Sequence, residues 1–292
     1  MFFLQNTVNG ISLGAIYALI ALGYTMVYGI AKMLNFAHGD VIMIGTYVVY
    51  AVMSGLNMPE WAALLVAMVA CILLGVTVEA LAYRPLRGTP GLAVLITAIG
   101  VSIFLQNGAQ QIWGTNPKLY PSAAQLGTIS LFGSALNIGG DVLLKIVVTV
   151  VIMLALTFYT SKTRMGKAMR AVSEDRDAAA LMGINVNRTI AVTFAIGSAL
   201  AAVAGFFLWF KTPLNTTFGA MPGIKAFTAA VLGGIGSMPG AMIGGILLGV
   251  IETYSQAYIS PLYTDAIVFS VLVIILLVKP TGLLGKKIQE KV

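Results

Sequence analysis

The residues best placed to do chemistry sit in one polar island of an otherwise apolar chain. Between Ser161 and Arg188 stand Lys162, Arg164, Lys167, Arg170, Arg176 and Arg188, with Glu174, Asp175 and Asp177 among them, and long apolar runs flank the island on both sides. Ser173 is placed to N-cap a short helix whose first turn is acidic, which suits the positive end of a helix dipole. Gly183 falls where a helix C-terminus often places a glycine. The helix expected here runs from about Glu174 to Met182. Ala178, Ala179 and Ala180 would give it a thin face able to enter a groove, with Leu181 and Met182 as apolar contacts. Glu174, Arg176 and Asp177 could pair with charges on a partner's rim. That chemistry is docking, and a solvated positive-inside loop is the plain alternative.

Groups for bond-making are scarce. The single histidine, His38, lies at an expected interface turn, and neither a Cys/His cluster nor an H-E-x-x-H motif occurs. Glu79, close to Arg84, is expected to pair with it at the membrane surface, and Glu252 falls near the outer end of a span. A proton-driven carrier would hold buried acids for that purpose, and no such chain of acids is visible. Gly166-Lys167 and Gly285-Lys286 both lack the rest of a phosphate-binding loop, so ATP, if it drives this protein, binds another chain.

Uncharged polar groups do enter the apolar runs. Gln106, Asn107, Gln110 and Gln111 occupy about 140° of a helical wheel. They could line a hydrated path for a polar solute, join helices by hydrogen bonds, or mark a helix leaving the bilayer. Asn35, His38 and Asp40 form the turn between the first two spans. Asp40 is expected to cap the helix starting at Val41, and Asn35 to end the helix before it.

The elements that position these groups follow from composition. Of 292 residues 59% are hydrophobic and 9% charged, with a mean hydropathy of +0.94; a soluble protein carries roughly 25% charged residues. The chain therefore reads as an integral membrane protein and one membrane domain. Its net charge of +7 reflects basic residues gathered in the loops of one side rather than a nucleic-acid partner. The first apolar run lacks a basic n-region and an A-x-A site, so it reads as a retained helix. The one cysteine, Cys71, lies in an apolar run as a small core or lipid-facing residue.

Spans are expected at about 8–30, 41–56, 61–83, 92–113, 142–159, 189–210 and 261–278. A further region, 224–258, is broken by glycines and Pro239 near Gly233–Gly240, either a short helix followed by a full one or a re-entrant pair. No ten-residue alternation suggests a barrel. Lysine and arginine bias places the loop 162–188 and the C-terminus in the cytoplasm, with the N-terminus and the long segment 114–141 outside. Small residues four apart (Gly10 and Gly14; Gly236, Gly240 and Gly244; Gly245 and Gly249) allow close helix packing.

Four motifs carry a family resemblance. A-A-A-L-M-G-I (178–184) after an acidic turn resembles the coupling loop of ABC importer permeases. N-G-I-S-L-G-A-I-Y-A-L-I-A-L-G (9–23), N-F-A-H-G-D (35–40) and G-G-I-G-S-M-P-G-A-M-I-G-G (233–245) look like the branched-chain amino acid permease family, in the same order. The likeness runs from about Asn9 to about Gly285. It implies an all-α integral membrane protein of about eight transmembrane segments, folded as a single permease domain over 1–292 with an external loop at 114–141. It implies the coupling loop at 162–188, with Glu174, Arg176, Asp177, Ala178, Ala179, Ala180, Leu181 and Gly183 against the ATPase. Asn35, Gln106, Asn107 and Gln110 are the candidates for the substrate pathway.

The partners implied are a second, longer permease chain, two ATPase subunits carrying ATP and magnesium, and a periplasmic binding protein, in a bacterial inner membrane. This chain itself would hold no cofactor and no metal, bind no nucleic acid and catalyse nothing. Alternatives are a permease for urea, short amides or other amino acids, an ion-coupled secondary carrier, or an intramembrane enzyme.

Overall fold

The computed structural model describes residues 2–121, 127–131 and 136–285. The helices are α1 (Phe2–Ala31), α2 (His38–Leu56), α3 (Glu60–Val78), α4 (Gly91–Trp113), α5 (Gly140–Lys162), α6 (Arg164–Glu174), α7 (Arg176–Leu181), α8 (Val186–Trp209), α9 (Ala220–Gly233), α10 (Met238–Tyr258) and α11 (Thr264–Val278). Among the described residues, seven helical segments are long and apolar enough to cross a membrane. Apart from α1, which starts six residues before the expected 8, their ends fall within three residues of the sequence expectation, because about 20 apolar residues are needed to span the hydrocarbon core. The fold is that of an all-α polytopic membrane protein. Its small departure is a two-stranded antiparallel hairpin, β1 (Thr128–Leu131) with β2 (Leu136–Gly139), in the segment expected as an external loop. Residues 122–126 and 132–135 of that segment, and the tail lysines Lys286, Lys287 and Lys291, lie outside the described residues.

The chain forms two compact units. The first comprises Met1–Thr25, Pro121–Ala155 and Lys225–Val292, the second Met26–Tyr120 and Leu156–Ile224.

In the first unit α1 and α10 meet backbone to backbone. A Cβ on Gly249 would lie 2.2 Å from the Gly14 nitrogen, so only hydrogen atoms allow this approach. The break foreseen near Gly233–Gly240 is present and takes the form of a short helix followed by a full one. At 1.5 Å per residue α9 is about 21 Å long and α10 about 31 Å. Only α10 matches a core of about 30 Å, although it is less apolar than the seven spans and carries Glu252. Ser237 caps α10 by accepting from the Gly240 nitrogen at 3.2 Å. The stretch after α11 closes over the break, with Leu283 N donating to Leu232 O and Leu284 N to Gly233 O, both at 2.9 Å. The α9–α10 turn therefore lies at the same end of this unit as the end of α11.

In the second unit α2, α3 and α8 pack through small side chains. Gly45 faces Cys71 and Ala202, and Gly75 faces Ser198. Cys71 is buried, its Sγ 3.7 Å from the Val41 carbonyl, as a small core residue. The end of α3 is irregular. A π-helical turn, Glu79–Tyr83, is followed by a 3-10 turn, Arg84–Leu86. Pro85 explains it: with no N–H and a ring that collides with the preceding turn, proline cannot continue an α-helix, and the hydrogen-bond ladder re-registers before it.

Candidate docking and coupling site

The island 162–188 is a built structure. Thr163 caps α6, accepting from Gly166 N at 3.0 Å. The Arg170 guanidinium folds back onto the Thr160 and Ser161 carbonyls at the end of α5, where cations suit the dipole. Met169 and Val172 are buried and fix α6.

The next helix starts two residues later than the sequence suggested. Ser173 does not cap it. That hydroxyl lies inside α6 and donates to Arg170 O at 2.7 Å. The cap is Asp175, extended at φ −152°, whose carboxylate accepts from Asp177 N at 2.9 Å and Ala178 N at 3.0 Å. Gly183 does end the helix, at φ +81°. Gly183 N donates to Ala180 O and Ile184 N to Ala179 O, both at 3.0 Å, the paired bonds of a left-handed C-terminal cap. Asn185 then caps α8 through Arg188 N at 3.0 Å.

The three alanines do not form one free face. Ala179 is buried, with 4% exposure, and seats α7 on its own chain, while Ala178 and Ala180 are exposed. Arg176 donates to the Ala31 carbonyl at the end of α1 instead of reaching outward. What α7 presents is Leu181 at 89% and Met182 at 83% exposure, bordered by the exposed Glu174, Asp177 and Gly183. The other large apolar side chains of this loop are buried or half-buried.

Beside it lies a polar cluster that the sequence pairs differently. Glu79 bonds Arg87 rather than Arg84, and Arg87 also donates to Asn187 in the first turn of α8. Burial lowers the Arg87 pKa, Glu79 opposes that, and the neighbouring Arg176 and Arg84 lower it further. The guanidinium stays charged throughout. Asn35 does not simply end α1; its side-chain oxygen accepts from Tyr83 Oη at 2.8 Å. Asp40 is not a cap either, because α2 already begins at His38. It accepts from Gln106 Nε2 at 2.8 Å, and Gln106 also donates to Ser102 at 3.2 Å. The amide group of α4 thus divides. Gln106 turns inward, Asn107 bonds the Ile103 carbonyl at 2.7 Å on an exposed surface, and Gln110 and Gln111 are exposed.

One cluster, buried at Lys225 and Glu252 and half-exposed at Asp265, escaped the sequence reading. Lys225 Nζ lies 2.7 Å from Glu252 and 2.8 Å from Asp265, and Tyr17 donates to Glu252 at 2.8 Å. This ties α1, α9, α10 and α11 together. A lysine inside an apolar run, with two acids in the next two helices, was the available signal.

Fold and site together define a membrane-embedded helical protein with a capped polar loop that presents a bare apolar pair. The chain belongs to the family described as branched-chain amino acid transport system / permease component, which matches residues 6–277. It is 47% identical over 305 residues to the Escherichia coli K12 high-affinity branched-chain amino acid transport system permease protein LivH, covering 100% of this chain and 98% of LivH. It is 27% identical over 308 residues to the LivM permease protein of the same strain, covering 96% of this chain and 70% of LivM. Among solved structures it resembles a chain of PsaBC from Streptococcus pneumoniae in complex with Fab, with TM-score 0.50, 15% identity and coverage of 96% and 93%, a likeness of fold alone.

Proposed function

We propose that the protein is the permease subunit of an ATP-driven importer for branched-chain amino acids. In this reading it forms the pathway with a second permease chain, and α7 docks in a groove on a separate ATPase. Support comes from the family, from two permease proteins of one named system in a single bacterium, and above all from Leu181 and Met182, apolar and bare at the tip of a capped helix. The loop 162–188 and the C-terminus lie in the cytoplasm and the N-terminus outside, which reporter fusions at Thr163 and Pro121 would read as inside and outside. Asn107 and Gln110, exposed near the Trp113 end of α4, line the route with the second chain. Gln106 and Asn35 are turned to partners within the chain, Asp40 and Tyr83.

The test is activity of the purified chain alone in vesicles. It should neither hydrolyse ATP nor concentrate leucine. Uphill uptake driven by a proton or sodium gradient would make it a secondary carrier instead.

A further inference from the structure

The docking helix, and the first turn of α8 that follows it, are each bonded to the membrane helices at one place. Arg176 holds the Ala31 carbonyl, the last residue of α1. Asn187, just past α7, accepts from Nη1 of Arg87, whose Nη2 holds Glu79. Glu79 opens the π turn, and Tyr83 at its far end bonds Asn35 in the α1–α2 link. Glu79, Tyr83 and Asn35 are all buried. Both attachments therefore converge on the α1–α2 link and the irregular end of α3. Five residues beyond Asn35, Asp40 passes the connection to Gln106 of α4.

Two features make this junction able to switch. A π turn holds one residue more per turn than an α-helix and occurs often at functional sites. The Arg87 Nε is buried without a hydrogen-bond partner, and opening the guanidinium fork to water would relieve that unmet donor.

We propose that the Glu79–Arg87–Asn187 fork is a latch that transmits displacement of α7 into α3 and the α1–α2 link, separately from docking. It rests on the coupling reading above. Arg87 acts as a positioning residue: it bridges an acid on α3 and an amide on α8, and a lysine, with one ammonium and no fork, cannot hold both in that geometry.

The test uses the assembled importer in nanodiscs, with its ATPases and binding protein. Arg87→Lys and Asn187→Ala should each co-purify with the ATPase and keep basal ATP hydrolysis. Stimulation by substrate-loaded binding protein should fall about tenfold in each, the scale of one charge-assisted hydrogen bond. The double variant should be no worse than either single one, because both remove the same bridge. Unchanged stimulation in Arg87→Lys, additive losses in the double variant, or loss of ATPase co-purification would each overturn the latch. Leu181→Asp/Met182→Asp, run in parallel, should lose docking itself. Normal docking there would remove the coupling reading, and the latch with it.

Discussion

Replacing both Leu181 and Met182 by aspartate strips α7 of its apolar tip without touching what holds α7 in place. Burying one such side chain fully is worth about 1.5–3 kcal/mol. Both are more than four-fifths exposed in the isolated chain, so a groove that covers them gains nearly all of that. Taking the lower figure for each, about 3 kcal/mol of docking rests on the pair, or about 100- to 200-fold in Kd at 1.4 kcal/mol per decade. The new carboxylates, which also resist burial, push the loss further. The assay titrates the ATPase onto permease assemblies in nanodiscs and follows thermal unfolding of the permease in parallel. Affinity should fall by about two orders of magnitude, while stability stays within about 0.5 kcal/mol, as for a surface change. A Kd within about threefold of the unmodified protein, well under 1 kcal/mol, would refute the reasoning.

Ala179→Trp should dislodge α7, since Ala179 is its buried seat, and trypsin should then cut faster at Arg176; Ala178→Trp, on the exposed side, should leave the digestion pattern unchanged. Gly183→Val should act like Ala179→Trp, because a β-branched residue at φ +81° costs on the order of 1–3 kcal/mol, more than a helix of so few residues can spare. Gly249→Leu should lower the unfolding temperature in detergent through overpacking of about 1–3 kcal/mol, whereas Gly108→Ala, whose added Cβ meets nothing within 4 Å, should not. Lys225→Met should destabilise by about 3–5 kcal/mol by leaving Glu252 buried without its cation, and Lys225→Met/Glu252→Gln should recover part of the loss.

The spans were legible because bilayer thickness imposes one length and one composition on every crossing helix, and the break at Gly233–Gly240 was legible because glycine and proline are punctuation. The register of capping was not. Ser173 and Asp175 are both good caps, and the choice falls to Asp175 because packing of Met169 and Val172 keeps α6 helical through Glu174. The partner of Glu79 was hidden for a related reason. Arg84 is the nearer cation in sequence, but at i,i+5 it lies on another face of a regular helix, and the π and 3-10 turns that Pro85 forces let Arg87 fold back onto Glu79. Ala179 looked equivalent to its neighbours in a run of three alanines, and only the seating of α7 tells them apart. Lys225, Glu252 and Asp265 come together through tertiary packing, across 27 residues for the first pair, a separation that leaves no periodic trace.

The most direct measurement is uptake of radiolabelled leucine by vesicles holding this chain with its second permease, the ATPases and the binding protein. Accumulation should require ATP and the binding protein, vanish when this chain is left out, and be competed by isoleucine and valine but not by urea or short amides. Leucine accumulation that persists without ATP, or without this chain, would contradict its role as the permease subunit of an ATP-driven importer.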